Sequence, residues 1–167
     1  MTKVVELRSG GQSGADRGAM DAAISLGLPV SGWCPKGGWA EDLTEPPGLL
    51  ALYPTMRETA TSDTIERTEL NVRDSTCCVF LNTKHRAVSP GTDAAYAFLA
   101  KYDVPAFEIV LDDREPVEDQ VLSCAEWIAS LGLGDIVLGV GGPRASEYPG
   151  IYDISFSLTR LLIQHIV

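Results

Sequence analysis

VVELRSGGQSGADR, residues 4–17, is the stretch that decides the fold of this chain. Its apolar start predicts a strand, its three glycines predict a tight turn, and a helix is predicted from Gly14 onward. The first N–H groups of a helix have no partner inside it, and the helix dipole places about half a positive charge at that end. Glycine also lets the backbone approach a ligand closely. The stretch therefore predicts a socket for a phosphate-like or oxyanion ligand.

Strands and helices alternate along the rest of the chain. The patterns predict strands at 2–8, 29–32, 76–81, 106–111 and 135–140, and helices at 14–26, 62–73, 90–101, 117–131 and 151–166. Residues 33–57 have no clear period, which predicts a long ordered loop. The alternation predicts one α/β domain over residues 1–167, with a doubly wound, mostly parallel sheet and helices on both faces. Ligands of such sheets lie at the carboxyl ends of the strands.

The glycine-rich turn has a structural alternative to ligand binding. It matches neither GxGxxG nor GxxxxGK[ST], so neither the usual dinucleotide fold nor a P-loop ATPase follows from it. Ser13 and Asp16 serve the start of the helix in the structural interpretation. Arg17 carries a planar fork of donors suited to phosphate or carboxylate, and a surface ion pair is its alternative.

Three further segments are predicted to meet the turn at the same edge of the sheet. Arg67 and Asn71 are four residues apart on one helix and share a face, which a solvated surface would also explain. Residues 89–93 open another helix and form either a second anion site or a simple cap made by Ser89 or Thr92. Residues 141–144 end a strand and bring Arg144 to this edge, unless they form only an exposed turn.

The loop over residues 33–42 adds a lysine, two carboxylates and two tryptophans. The rings could stack on a base, although tryptophans in loops more often anchor the loop to the core. Cys34 is either a soft metal ligand or a single buried thiol. The four cysteines show no CxxC spacing, so neither a disulfide framework nor a metal site is predicted.

Charge and hydropathy restrict the partners. The net charge of -10 argues against a protein that coats nucleic acid. It does not exclude a small anion, because salt screens exposed charges beyond about 8 Å. No apolar run approaches the roughly 20 residues that span a bilayer, and no secretory signal is visible. We therefore expect a cytoplasmic protein that is not a membrane protein.

At this point the sequence resembles a known family. GGQSGADRGAMDAA at 10–23 resembles the signature of the putative molybdenum carrier family, a circularly permuted YpsA-like branch of a Rossmann-like nucleotide-binding superfamily. The same family is matched by GWCPKG at 32–37, AED at 40–42, RET at 57–59, RTELNVRDS at 67–75, GGPRASE at 141–147 and PGIY at 149–152. The resemblance implies a Rossmann-like fold that binds a nucleotide, molybdate or a molybdopterin-type cofactor.

Departures from related families limit what the resemblance implies. The family usually has a basic residue at the position of Gly38 and a Gly-Gly-Thr where this chain has Pro90-Gly91-Thr92. Related branches include the cytokinin-activating phosphoribohydrolases and the DNA-processing protein DprA. The phosphoribohydrolase motif has a glutamate three residues after its threonine, where this chain has Ala95. Asp16, Glu41 or Asp93 would have to supply acid–base catalysis instead.

The leading hypothesis is a binding protein for a phosphate-bearing or oxyanion ligand, and the alternative is a hydrolase that cleaves nucleotides at the glycosidic bond. A DNA-handling role fits poorly with the acidic charge, and the sequence leaves open whether the chain forms a homo-oligomer. The predicted ligand-binding residues are Gly10, Gly11, Gln12, Ser13, Gly14, Asp16, Arg17, Lys36, Arg67, Asn71, Gly91, Thr92, Gly142 and Arg144.

Overall fold

The computed structural model describes residues 1–84 and 90–166. The strands are β1 (Lys3–Arg8), β2 (Val30–Cys34), β3 (Met56–Glu58), β4 (Cys77–Asn82), β5 (Ala106–Val110) and β6 (Asp135–Gly141). The helices are α1 (Ala15–Ser25), α2 (Leu49–Leu52), α3 (Thr64–Arg73), α4 (Pro90–Tyr102), α5 (Val117–Ser130) and α6 (Ile151–His165). Asp63 caps α3 by accepting a hydrogen bond from the Ile65 N–H. Ser89, the predicted alternative cap of α4, lies outside the described residues.

All described strands form one parallel sheet in the order β3-β2-β1-β6-β4-β5. This confirms the predicted α/β, Rossmann-like sheet, and it is parallel throughout. The last strand, β6, is inserted between β1 and β4, so the carboxyl ends of these three strands lie side by side. The loops that follow β1 and β6 therefore begin next to each other at one edge of the sheet.

Helices cover both faces of the sheet, as predicted. On one face α1 packs on α6, and α6 packs on α5, over a large core that includes Leu7, Val79 and Leu138. On the other face α3 and α4 pack against each other over a smaller cluster that contains Cys78 and Phe80 of β4. Every residue of β4 is buried, which agrees with its continuous apolar sequence. The four cysteines are free and buried.

The prediction of a long loop over residues 33–57 was wrong in part. Within that range β2 continues to Cys34, the short helix α2 forms, and β3 pairs with β2 as an edge strand. An edge strand of three residues is too short to show the alternation on which strand prediction depends. The rest of the segment, residues 35–48, carries no helix or strand and is called the 35–48 loop below.

Across residues 1–84 and 90–166, the helices are all too short or too polar to cross a membrane.

Candidate anion-binding site

A cavity of about 80 Å³ opens at the carboxyl ends of β1, β6 and β4. This volume has room for several ordered water molecules. Its sheet side is formed by the backbone of the β1–α1 and β6–α6 loops, and α3 and α4 contribute the opposite wall. Arg67 and Arg144 both line it, together with Gly10 and Gly142. The elements that the sequence predicted to converge therefore share one cavity.

The β1–α1 loop uses several of its N–H groups internally. The Gln12 N–H donates to the carboxylate of Asp16 at 3.2 Å, and the Ser13 N–H donates to the side-chain oxygen of Gln12 at 3.0 Å. The Ala15 N–H, which is the first of α1, donates to the Pro143 carbonyl at 3.0 Å. The start of α1 is thus tied to the β6–α6 loop, and its first donor does not face an open site.

Other donors of the same loop have no protein partner. Gly10 and Gly11 are buried, yet neither N–H has a hydrogen-bond acceptor within residues 1–84 and 90–166. Gly10 lines the cavity. A Cβ at this position would lie 2.1 Å from Nη1 of Arg67, so only glycine allows the guanidinium to approach the loop this closely. Buried donors without a protein acceptor are uncommon and call for an acceptor such as water or a ligand.

Arg67 reaches the loop from α3 and meets Asp16. Its side chain is 10% exposed, and its Nη1 lies 3.6 Å from the Asp16 carboxylate. Nη1 also donates to the Gly10 carbonyl at 3.3 Å, and Nε donates to the Thr64 carbonyl at 3.3 Å. Nη2 has no hydrogen-bond partner in the described chain and is not sealed from solvent. One donor face of a nine-tenths buried arginine is therefore available to a ligand.

Burial changes the acidity of both members of this pair. It raises the pKa of Asp16 above its ordinary value, although Arg67 and the Gln12 N–H lower it. Burial also lowers the pKa of Arg67, which Asp16 opposes and the nearby Arg144 reinforces. Because water solvates neither charge well, each group depends on the other for neutralisation.

Glu41 connects the 35–48 loop to the rim of the cavity. Its carboxylate accepts hydrogen bonds from the Ser13 hydroxyl and from the N–H and hydroxyl of Ser146, the latter two at 3.1 and 2.6 Å. Arg144 lies 3.8 Å away. Burial raises the pKa of Glu41, but the hydrogen bonds from Ser13 and Ser146 lower it, and the pKa lies below its ordinary value. An ionised Glu41 therefore fastens this loop to both glycine-rich loops.

The predicted ligand residues divide into two groups. The first group lines the cavity and consists of Gly10, Gln12, Asp16, Arg67, Asn71, Gly91, Thr92, Gly142 and Arg144. The second group lies outside the cavity lining and consists of Gly11, Ser13, Gly14, Arg17 and Lys36. Among the three candidate acid–base residues, only Asp16 lines the cavity, while Glu41 and Asp93 do not.

Arg17 has partners other than the predicted ligand. Its guanidinium donates to the Gly11 carbonyl at 3.1 and 3.2 Å and forms a bidentate pair with Asp42 at 2.8 and 2.9 Å. The five N–H donors of arginine are largely used by these contacts. Arg17 thus joins the glycine-rich loop to the 35–48 loop. Lys36 is exposed.

Asn71 lines the cavity, but its amide is occupied by β2. Its oxygen accepts from the Trp33 N–H at 2.8 Å, and its nitrogen donates to the Trp33 carbonyl at 2.9 Å. These two bonds fix α3 to the sheet. Gly38 also has a structural role, because a Cβ there would lie 2.1 Å from the Pro47 carbonyl oxygen. The backbone therefore leaves no room for a side chain at this position.

Sequence reasoning missed two charged residues of the cavity, Arg8 and Glu147. Arg8 ends β1 and pairs with Glu6 at 2.8 Å and Asp74 at 3.6 Å, and its buried Nε has no hydrogen-bond partner in the described chain. Glu147 lies 3.4 Å from Nε of Arg144. A charged residue at the end of an apolar strand was the signal that could have identified Arg8.

Within the described ranges, no group of three or more His, Cys, Asp or Glu side chains is close enough to hold a metal ion. Cys78 lines the cavity, and burial raises the pKa of its thiol to about 12. The cavity lining also includes the three arginines Arg8, Arg67 and Arg144, and guanidinium groups suit an oxyanion.

Comparison with known proteins agrees with this architecture. The model of the circularly permutated YpsA SLOG family matches residues 7–163. The crystal structure of "Putative molybdenum carrier protein" from Syntrophus aciditrophicus SB is similar, with 33% sequence identity, coverage of 97% of this chain and 96% of that chain, and a TM-score of 0.84. No protein with a curated description matches the chain. The family match includes every loop that borders the cavity.

Proposed function

The chain belongs to the circularly permutated YpsA SLOG family, and we propose on that basis that it binds a small ligand through a phosphate or another tetrahedral oxyanion. The candidate ligands are molybdate, a molybdopterin-type phosphate and a nucleotide. The anion lies between the β1–α1 loop, α3 and the β6–α6 loop. The solved relative is named for carrying molybdenum, and this chain would take molybdenum as the oxyanion, not as a bare cation.

One observation carries the proposal: Arg67 is nine-tenths buried, its Nη2 has no partner among the described residues, and it lines the same cavity as Gly10, whose N–H also lacks an acceptor there. Asp16 balances the charge of Arg67 from 3.6 Å, but this pair leaves Nη2 without a hydrogen-bond acceptor among the described residues. An oxyanion at this position would accept hydrogen bonds from both donors, and Arg144 would supply a second cation from the opposite side. Charge-assisted bonds of this kind are about twice as strong as neutral ones.

Calorimetry with defined ligands tests the proposal. Sodium molybdate, AMP and ADP-ribose are titrated into the wild type and into Arg67→Lys, Arg144→Gln and Arg114→Gln variants. Arg114 is exposed and lies outside the cavity lining, so Arg114→Gln is the control that removes one positive charge elsewhere. We expect at least one ligand to bind the wild type and the Arg114 variant alike.

Loss of one charge-assisted bond should weaken binding in the Arg67 and Arg144 variants about tenfold or more. Thermal unfolding of each variant without ligand establishes that it is folded. No heat from any of these ligands with the wild type refutes the proposal. Equal affinities in all four proteins would refute the proposed position of the anion.

A hydrolase is the second candidate, and one feature of the cavity favours it. Asp16 lines the cavity and burial raises its pKa, which are properties of a general acid. Release of free base from nucleoside monophosphates is the assay. Turnover that disappears in Asp16→Asn supports hydrolysis, and the absence of turnover leaves binding as the function.

A further inference from the structure

The arginines of the cavity are already paired with carboxylates, so little net positive charge remains for an anion. Its rim brings together Arg67 and Arg144, but three carboxylates, Asp16, Glu41 and Glu147, lie against these two arginines. Arg8, which also lines the cavity, already pairs with two carboxylates of its own, Glu6 and Asp74. An incoming dianion would therefore enter a site whose arginines are already neutralised.

We propose that Asp16 takes up one proton when an anion binds in this cavity, so that anion binding is proton-coupled. The proposal rests on the proposed function and adds the group that controls it. In the balanced step, a proton from solvent bonds to a carboxylate oxygen of Asp16. Arg67 then forms its ion pair with the bound anion in place of the neutral Asp16 carboxyl. The bound state then differs from the free state by one anion and one proton.

The geometry makes Asp16 a competitor of the ligand. Its carboxylate accepts a hydrogen bond from the Gln12 N–H and lies 3.6 Å from Nη1 of Arg67. These groups border the same cavity as the unpaired N–H of Gly10. An anion bound to Arg67 would therefore lie close to a second negative charge in a region that water screens weakly.

Ser9 is a further polar neighbour of Asp16. Burial is the largest influence on Asp16 and raises its pKa, whereas Arg67, the Gln12 N–H and the Ser9 side chain lower it. The Ser9 hydroxyl also donates a hydrogen bond to the Val140 carbonyl at 2.8 Å.

The other charged groups around Asp16 do not offer an equivalent proton site. Arg67 on α3 and Arg17 on α1 both lower the pKa of Asp16. Arg8 of β1 and Arg144 of the β6–α6 loop line the same cavity, and Glu41 is hydrogen-bonded to Ser13. Burial raises the pKa of Asp16. Burial acts on Glu41 in the same direction, but the hydrogen bonds that Glu41 accepts leave the pKa of Glu41 below its ordinary value. Glu147 accepts from the Arg144 N–H at 3.1 Å and stays paired with that residue.

Calorimetry between pH 6.5 and 8.5 tests the coupling, with molybdate and sulfate as probes because both remain dianions in this range. Each titration is repeated in two buffers of different ionisation enthalpy, which gives the number of protons taken up. For the wild type we expect uptake that approaches one proton at high pH and an affinity that falls about tenfold per pH unit there.

The Asp16→Asn variant should bind with no proton uptake and with an affinity independent of pH. Asp153→Asn makes the same substitution at an exposed carboxylate on α6 and should retain the wild-type pH dependence. The wild-type measurement tests the proposal without any variant. The proposal therefore stays testable even if Asp16→Asn fails to fold. Zero proton uptake with pH-independent binding in the wild type overturns it and leaves anion binding intact. Absence of any binding overturns both.

Discussion

Replacement of Arg67 by methionine should show how strongly the protein is destabilised when the buried Asp16 loses its cation. In Arg67→Met a flexible apolar side chain of similar length fills most of the volume, but the Asp16 carboxylate loses its cation at 3.6 Å. The carbonyls of Gly10 and Thr64 also lose a donor. The substitution therefore leaves a charge that is almost completely desolvated without a partner.

The magnitude follows from this environment. Breaking a buried ion pair by removing one partner costs about 3–5 kcal/mol. For a chain of this size the melting temperature should fall by on the order of 10 °C. The loss should depend on pH, because burial already raises the pKa of Asp16 and removal of Arg67 raises it further.

The sign is fixed by which form the native state favours. A raised native pKa means that the folded protein prefers neutral Asp16, so stability is lost as pH rises from the unfolded value through the native pKa. The destabilisation in Arg67→Met should thus be largest at pH 8 and smaller at pH 5.5.

Urea unfolding followed by tryptophan fluorescence measures this free energy at both pH values. The double variant Arg67→Met/Asp16→Asn removes both charges, and we expect it to recover a large part of the lost stability at pH 8. Arg114→Gln, at an exposed position, controls for the change of net charge. Equal destabilisation at the two pH values, together with no recovery in the double variant, would refute the argument that Arg67 and Asp16 neutralise each other.

Three other substitutions test the framework around the cavity. Asn71→Ala should lower the free energy of unfolding by about 2–4 kcal/mol, since both backbone groups of Trp33 lose their partner; chemical denaturation measures it. Gly32→Ala should abolish soluble expression, because Gly32 has a φ of +151° and a Cβ there would lie 1.8 Å from the Ser9 carbonyl oxygen. Gly134→Ala is the control and should express normally, because a Cβ at Gly134 would meet nothing within 4 Å. Glu41→Gln should speed proteolysis of the 35–48 loop at pH 7.5, and the difference from wild type should shrink in acid, because the lowered pKa of Glu41 means that its contribution is lost as pH falls.

The order of helices and strands was readable from the sequence because most elements are long enough to show a period. β4 is a continuous apolar run and α6 carries an apolar stripe, and both form as expected. The edge strand β3 and the four-residue helix α2 are too short for any period. The insertion of β6 between β1 and β4 depends on pairing between distant segments, which no local pattern records.

Convergence of the loops was also predictable, whereas the direction of the side chains was not. Parallel strands that start and end together must bring their following loops to one edge. Whether Arg17 faces a ligand or Asp42 depends on a residue 25 positions away, and the sequence gives no distance between them. Arg8 was missed because its position at a strand end fits a surface residue equally well, until α3 and α4 are placed over it.

The same limitation affects any estimate of ligand affinity from residue types. Counting arginines near the glycine-rich loops suggests a strongly positive site, but the structure pairs each of them with carboxylates. The strength of an anion site depends on donors that remain unpaired after the protein has satisfied itself. Among the described residues that line the cavity, these donors include the Gly10 N–H, Nε of Arg8 and Nη2 of Arg67. Under the proposed coupling, the negative charge of Asp16 controls whether an anion can use these donors, so pH is the variable that tests this cavity most directly.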